Sequence, residues 1–222
     1  MYKKQLIKFY SKLSRDIGGD IGNDKDGNKD GNKDINKVNT LTDTMEYELR
    51  FGQKSAGKFA PIFNENIKQK VFDALDIELD SLISEESINS YYDDNIRKVS
   101  IKSKDSNGNE ILKDTIECKE VIKRLDWFMD TGLCLRFAVS NEKAVPNEDR
   151  VLSKLAQSQP SVVRKKVRQI YKVKKSTTEL HFTTIETVNK DGAKVTHEME
   201  IEYKKIKDID LRLLDKILNC FN

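Results

Sequence analysis

The segment Met45-Glu46-Tyr47-Glu48-Leu49-Arg50-Phe51-Gly52 alternates strictly between charged and apolar side chains. Near the other end of the chain, Glu198-Met199-Glu200-Ile201-Glu202-Tyr203 alternates in the same way. A period of two is typical of a β-strand. Carboxylates in a row repel one another, so we expect a cation over each row. If the two strands are neighbours, their oxygen atoms would suit Mg²⁺ or Mn²⁺; the alternative is the polar face of an ordinary half-solvated sheet.

The composition is that of a polar protein with one domain as the default. Its 222 residues are 37% hydrophobic and 35% charged, and no segment is long and apolar enough to span a bilayer. Lysines interrupt the N-terminal segment, so we expect no secretion signal and no membrane association. Three widely spaced cysteines predict free thiols in a reducing, intracellular compartment. They are Cys118, Cys134 and Cys220.

The distribution of charge is more informative than the net charge of +3, which does not by itself indicate a nucleic-acid partner. The segment 164–168, Arg-Lys-Lys-Val-Arg, is densely basic and lies in a predicted strand at 163–174. The two glutamate-rich strands at either end are acidic. The charged faces of the predicted strands are therefore sorted by sign along the chain.

The chain divides into three parts. Residues 1–17 contain a predicted amphipathic helix, with Leu6, Ile7, Tyr10 and Leu13 on one side. Residues 18–42 are rich in Gly, Asn, Asp and Lys and are predicted to be a low-complexity linker. Residues 43–222 are predicted to form the folded domain, and we expect the first two parts to be dispensable for catalysis.

Within the third part, helical spacing predicts a helix over 63–83 with Asn64 as its cap, and a closing helix over 208–221. The remaining pattern predicts seven or eight antiparallel strands, the next of them starting at residue 96. An open sheet would have no reason to sort its charged faces by strand, whereas a barrel with polar faces inside would. We therefore predict a mainly β fold: a closed, antiparallel, eight-stranded barrel with short packing helices. Its interior would suit a metal–polyphosphate complex.

With its strands in this order, the chain resembles the triphosphate tunnel metalloenzymes. It is most similar to the RNA 5′-triphosphatases of fungal, protozoal and large DNA-virus mRNA capping. The resemblance covers residues 45–205 and rests on four motifs: an opening Glu-x-Glu-x-basic-x-Gly, a closing Glu-x-Glu-x-Glu, a basic pair followed by an aromatic residue, and a Ser-x-Glu-like end of a strand. These match Glu46, Glu48, Arg50 and Gly52; Glu198, Glu200 and Glu202; Lys166, Arg168 and Tyr171; and Ser140 and Glu142.

The resemblance implies metal-dependent removal of the γ-phosphate from triphosphate-ended RNA. It implies that Glu46, Glu48 and Glu202 hold Mn²⁺ or Mg²⁺. The expected catalytic side chains also include four cations that contact phosphate and three further carboxylates, of which Glu142 holds basic side chains in position. They are Lys166, Arg168, Arg97 and Lys119, with Glu142, Glu198 and Glu200.

The inward register of two segments stays open. In 96–102, either Arg97 or the pair Lys98 and Ser100 faces inward. In 178–185, where the family often has Arg-x-Asp-x-Thr, only Thr183 matches.

The resemblance also implies partners and a location. The substrates would be triphosphate-ended RNA and, in vitro, nucleoside triphosphates, and an mRNA guanylyltransferase is an expected protein partner. The location would be the nucleus in a eukaryote, or the virion or viral factory for a virus. Two alternatives remain. One is a tunnel-fold enzyme for inorganic triphosphate or nucleotides, and the other is a non-catalytic barrel subunit that binds a guanylyltransferase.

Overall fold

The structure is a computed structural model that describes residues 2–16, 44–75, 79–92, 96–104, 110–145, 155 and 157–221. The predicted linker at 18–42 lies outside the described residues. The described part contains nine strands, three helices and one 3₁₀ turn. The strands are β1 Thr44–Ser55, β2 Lys58–Pro61, β3 Leu79–Tyr91, β4 Ile96–Lys104, β5 Glu110–Phe128, β6 Leu133–Ala144, β7 Val162–Val173, β8 Glu179–Asn189 and β9 Gly192–Tyr203. The helices are α1 Lys3–Asp16, α2 Glu65–Leu75 and α3 Leu211–Asn219, and the turn is Ile206–Asp208.

Eight of the strands form one closed antiparallel barrel, as the sequence predicts. The order is β2-β1-β6-β5-β4-β3-β7-β8-β9, and β9 pairs back onto β1 to close the ring. The short β2 stands outside the ring, on the free part of the edge that β1 shares with β9. Every strand pair is antiparallel. Closure removes the open sheet edges and separates an inner from an outer face.

The two glutamate-rich strands are neighbours in this ring. Glu48 lies opposite Glu202, and Arg50 lies opposite Glu200. On its other edge β1 pairs with β6, where Glu46 lies opposite Ser140. The alternation read from the sequence therefore places both glutamate rows on one continuous wall.

The hydrophobic core lies outside the barrel, between the outer faces of the strands and the helices. The apolar partners of the alternation, such as Leu49, Phe137 and Ile201, are fully buried there. Helix α3 begins at Asp210, whose carboxylate accepts hydrogen bonds from the amides of Arg212 and Leu213. Burial of apolar faces on the outside leaves the polar faces to line the interior. None of the described helices is long and apolar enough to cross a membrane.

Helix α1 packs into this core. Tyr2, Leu6, Phe9 and Leu13 are at most 1% exposed. The predicted apolar stripe is therefore right for Leu6 and Leu13 but wrong for Ile7, which is 49% exposed. The core takes Phe9 instead, whose ring contacts Trp127 on β5 in a tilted arrangement, with 6.2 Å between ring centroids and 60° between ring planes.

The predicted helix over 63–83 is wrong in its second half. Asn64 caps the helix as predicted, since its side-chain oxygen accepts a hydrogen bond of 2.9 Å from the amide of Ile67. The helix ends at Leu75, however, and Leu79–Tyr91 forms β3, which pairs with β4 on one side and β7 on the other. The prediction failed because leucines at helical spacing occur in this segment by chance. Pairing with the two neighbouring strands determines its conformation instead.

Candidate active site in the tunnel

The barrel encloses a polar cavity of about 440 Å³. Seven glutamates and eight cationic side chains line it. The glutamates are Glu46, Glu48, Glu85, Glu117, Glu142, Glu200 and Glu202, and the cations are Arg50, Arg97, Lys119, Arg124, Arg136, Arg164, Lys166 and Arg168. A single strand, β7, supplies the last three cations, whereas β1 and β9 supply most of the carboxylates. The cavity thus has an acidic wall and a basic wall, as the sorted charges of the sequence predict.

The ammonium group of Lys119 contacts three carboxylates of the acidic wall. Its Nζ lies 2.6 Å from Glu46 Oε2, 3.0 Å from Glu48 Oε1 and 2.8 Å from Glu142 Oε1. Burial raises the pKa of Glu46 to about 8, and the nearby Glu142 and Glu48 add to the rise, although Lys119 opposes it. Three carboxylates therefore converge on one ammonium group at this point.

Glu142 holds two basic side chains at once. Its Oε1 accepts a hydrogen bond of 2.6 Å from Arg97 Nη2, in addition to the contact with Lys119. Burial acts to raise the pKa of Glu142, but the charges of Lys119 and Arg97 outweigh it and lower the pKa to about 2. Glu142 thereby fixes the positions of Arg97 and Lys119 relative to each other.

The register of β4 is now settled in favour of Arg97. Its guanidinium faces the cavity and binds Glu117 at 2.8 Å as well as Glu142. Lys98 instead forms an ion pair of 2.7 Å with Asp114, and both side chains are more than 40% exposed. The alternative inward pair of Lys98 and Ser100 is wrong.

Arg50 ties the two glutamate rows together. It donates hydrogen bonds of 3.0 Å to Glu200 and to Glu48, and its Nη1 lies 3.7 Å from Glu198. Burial acts to raise the pKa of Glu200, but Arg50 and other neighbouring cations lower it well below its usual range. Glu198 and Glu200 are therefore occupied by a protein cation.

The cations of the basic wall have fewer carboxylate partners than those of the acidic wall. Within the described residues, no carboxylate lies within 4.0 Å of Lys166. Arg168 Nη2 lies 3.5 Å from Glu200, and its buried Nε has no hydrogen-bond partner. The Arg164 guanidinium lies over the ring of Tyr91 at 5.0 Å. Burial lowers the pKa of Lys166, and the charge of Arg168 adds to this effect, although Tyr91 opposes it. Such donors are suited to the oxygen atoms of a phosphate chain.

Sequence reasoning missed the polar face of β3, which also lines the cavity. Glu85, Ser87, Asn89 and Tyr91 alternate there with residues of the other face. The alternation is visible in the sequence from residue 85 onwards, but the segment was assigned to the end of a helix and to a connection. Glu117 on β5, which binds Arg97, was missed as well.

The predicted metal ligands are divided between two groups. Glu46 and Glu48 contact Lys119, as described above. Glu202 instead groups with Glu179 and His181 of β8, and one donor atom from each of these three lies within 4.8 Å of the others. The register of β8 places Glu179 opposite Glu202 and His181 opposite Glu200. His181 is 2% exposed.

Comparison with known proteins agrees with the fold. Neither a protein-family model nor a curated protein matches the sequence. The RNA triphosphatase Pct1 of S. pombe superposes with a TM-score of 0.53 at 14% identity, over 80% of this chain and 77% of that chain. The same protein in complex with the Spt5 CTD gives 0.52 at 13% identity, over 80% and 81%. The RNA triphosphatase domain of a mimivirus mRNA capping enzyme gives 0.47 at 13% identity, over 80% and 88%. The chain therefore has the tunnel fold found in an RNA triphosphatase.

Proposed function

We propose that the chain is a metal-dependent RNA 5′-triphosphatase, which removes the γ-phosphate from triphosphate-ended RNA as the first step of cap formation. The observation that carries the proposal is the enclosed cavity with carboxylates on one wall and Lys166, without a carboxylate partner among the described residues, on the other. A polyphosphate carries negative charge on each of its phosphates, so a site that binds it must place cations beside each one. The tunnel fold shared with Pct1 supports this assignment.

The basic wall would bind the phosphate chain. Arg168 offers a guanidinium that can donate two parallel hydrogen bonds, and Lys166 offers an ammonium on the same face of β7. Arg97 and Lys119 are already bound to Glu142, so they would meet the phosphate in fixed positions. Preorganised donors of this kind stabilise charge that develops in the transition state.

The carboxylates of the acidic wall fit a hard divalent cation. Three carboxylates, those of Glu46, Glu48 and Glu142, converge within 3.0 Å of Lys119 Nζ. Oxygen donors are the ligands that Mg²⁺ and Mn²⁺ prefer. Glu46 and Glu48, with Glu202 on the neighbouring strand, would hold the ion. A bound ion would neutralise charge on the phosphate oxygens and orient the phosphate.

In the proposed reaction, water attacks the γ-phosphorus, and the bond from that phosphorus to the β–γ bridging oxygen breaks. The products are inorganic phosphate and a diphosphate-ended RNA. Arg168 and Lys166 would hold the equatorial oxygens, while Arg50 keeps Glu198 and Glu200 in place. Recognition would fall on the phosphates, with little reading of bases.

The proposed partners and location follow from the same reaction. The triphosphatase of S. pombe was captured with the Spt5 CTD, a protein partner of that enzyme. For this chain we propose an mRNA guanylyltransferase as the partner, because that enzyme consumes the diphosphate end. The site of action would be the nucleus in a eukaryote, or the virion or viral factory for a virus.

One assay separates the proposal from its alternatives. Phosphate release is measured with triphosphate RNA, a nucleoside triphosphate and inorganic triphosphate, each with and without Mn²⁺. We expect Mn²⁺-dependent release from RNA and from the nucleotide, and an inert diphosphate end. Cleavage of inorganic triphosphate without cleavage of RNA would favour a small-molecule triphosphatase. Binding of a guanylyltransferase without any hydrolysis would favour a non-catalytic subunit.

A further inference from the structure

Beside the tunnel carboxylates, β8 and β9 bring together two glutamates and a buried histidine. Glu179 lies directly opposite Glu202 in the strand register, and His181 follows on the same face of β8. One donor atom from each residue lies within 4.8 Å of the others. We infer that His181 Nδ1 and Glu202 hold a second metal ion, a divalent transition ion such as Mn²⁺, Co²⁺ or Zn²⁺, while Glu179 orients the imidazole through Nε2.

The hydrogen bonding of His181 provides independent support. Its Nε2 lies 3.2 Å from Glu179 Oε2 and forms a hydrogen bond, whereas the buried Nδ1 has none. The nearest charged groups to Nδ1 are carboxylate oxygens, Glu200 Oε1 at 3.5 Å and Glu202 Oε2 at 4.0 Å. A neutral imidazole that donates from Nε2 presents a lone pair at Nδ1. At 3.5 and 4.0 Å, these oxygen atoms leave room for a cation between them and the lone pair.

The distances suit a metal ion in that position. Donor atoms on opposite sides of an ion at ~2.1 Å each lie about 4.2 Å apart. The separation of 4.0 Å between Nδ1 and Glu202 Oε2 falls within this limit. The side chains of Glu179 and Glu202 are only partly buried, being 25% and 23% exposed. An ion can therefore enter the space beside the histidine from solvent.

The local charge also favours a divalent ion over a proton. Three carboxylates, Glu179, Glu200 and Glu202, surround the ring. Arg50 is shared among Glu200 and two other glutamates. Arg168 lies 3.5 Å from Glu200, and Lys204 lies 3.5 Å from Glu202 with its side chain 59% exposed. A proton on Nδ1 would compensate one negative charge, whereas a divalent ion compensates two.

The nitrogen donor sets the class of ion. Imidazole binds first-row transition ions, including Mn²⁺ although that ion favours oxygen, whereas Mg²⁺ keeps to oxygen ligands. The carboxylates Glu46 and Glu48 offer only oxygen. The chain would therefore bind ions at two adjacent positions of different chemistry, with Glu202 opposite Glu48 between them.

The test uses Mn²⁺ itself and detects the nitrogen directly. Full-length protein without a polyhistidine tag is stripped with a chelator and loaded with Mn²⁺. Electron spin-echo modulation then reports any ¹⁴N nucleus bound to the ion. The chain has two histidines, His181 and the exposed His197, so the signal can be assigned. We expect ¹⁴N coupling in the natural protein, its loss in His181→Asn and its retention in the control His197→Asn.

If His181→Asn does not fold, other variants and measurements still test the inference. Glu179→Gln should weaken Mn²⁺ binding at the nitrogen-containing site by at least about tenfold. Excess Mg²⁺ should leave the ¹⁴N coupling in place. Absence of ¹⁴N coupling in the natural protein at saturating Mn²⁺ would overturn the inference, as would coupling that survives in folded His181→Asn. The proposed reaction is tested separately, because Glu46→Gln should abolish hydrolysis yet keep the ¹⁴N signal.

Discussion

The ammonium of Lys119 lies 2.6 Å from the carboxylate of Glu46, although 73 positions separate the two residues in the sequence. Lys119 is on β5 and Glu46 on β1, and β6 lies between these strands. The lysine reaches across β6 beside Glu142, its own cross-strand neighbour. Carboxylates from β1 and β6 therefore converge on a single lysine from β5.

The carboxylate of Glu46 should be indispensable for hydrolysis. Glu46→Gln keeps the size of the side chain but removes a charged oxygen ligand, so metal-dependent phosphate release should fall to background. The measurement is release of labelled γ-phosphate from triphosphate RNA with Mn²⁺. Glu186→Gln is the matched control, since Glu186 pairs with Lys165 at 3.4 Å away from the tunnel lining. Near-natural turnover in folded Glu46→Gln would refute the assigned role.

Substitutions at Lys165, Lys166 and Arg168 test whether the basic wall binds phosphate. Arg168→Ala should lower kcat/KM by about 30- to 1,000-fold, corresponding to roughly 2–4 kcal/mol for one preorganised donor. Arg168→Lys should recover part of this loss, because a lysine cannot form the two-pronged contact. Lys166→Ala should also impair hydrolysis, whereas Lys165→Ala, on the outer face, should not. Equal activity of Lys166→Ala and Lys165→Ala would show that Lys166 contacts no phosphate.

Helix α1 should stabilise the barrel, because its apolar side is part of the hydrophobic core. Phe9→Ala removes a fully buried ring and should lower the free energy of unfolding by about 3–5 kcal/mol. Ile7→Ala, on the exposed side of the same helix, should change it by less than about 0.5 kcal/mol. Urea unfolding of both variants measures the difference. Similar stability of the two would mean that α1 does not dock in solution.

Gly52 in the opening motif has a packing role. A Cβ atom at this position would lie 2.4 Å from the carbonyl oxygen of Ala60 and 2.5 Å from the ring of Phe59, both on β2. Gly52→Ala should therefore destabilise the fold by about 1–3 kcal/mol through overpacking. Gln53→Ala, at the exposed next position, serves as the control. Thermal unfolding at equal concentration compares the two, and an unchanged midpoint for Gly52→Ala would contradict this explanation.

The alternation and charge pattern of the sequence were enough to predict the barrel and its two walls. Strict alternation fixes which face of a strand is apolar, and charges sorted by strand are compatible with a closed, polar interior. This is why Glu46, Glu48, Lys166, Arg168 and Glu202 were identified from the sequence and lie on the cavity wall.

Contacts that depend on barrel closure and strand register could not be predicted from the sequence and are seen in the folded chain. Pairing with β4 and β7 converts Leu79–Tyr91 from an apparent helix into a strand that lines the tunnel. The register of β8 against β9 places Glu179 opposite Glu202, with His181 beside them. Docking on the outer barrel face buries Phe9 in place of Ile7. A strand pattern has a period of two whatever its partner is, so it cannot specify which residue lies opposite which.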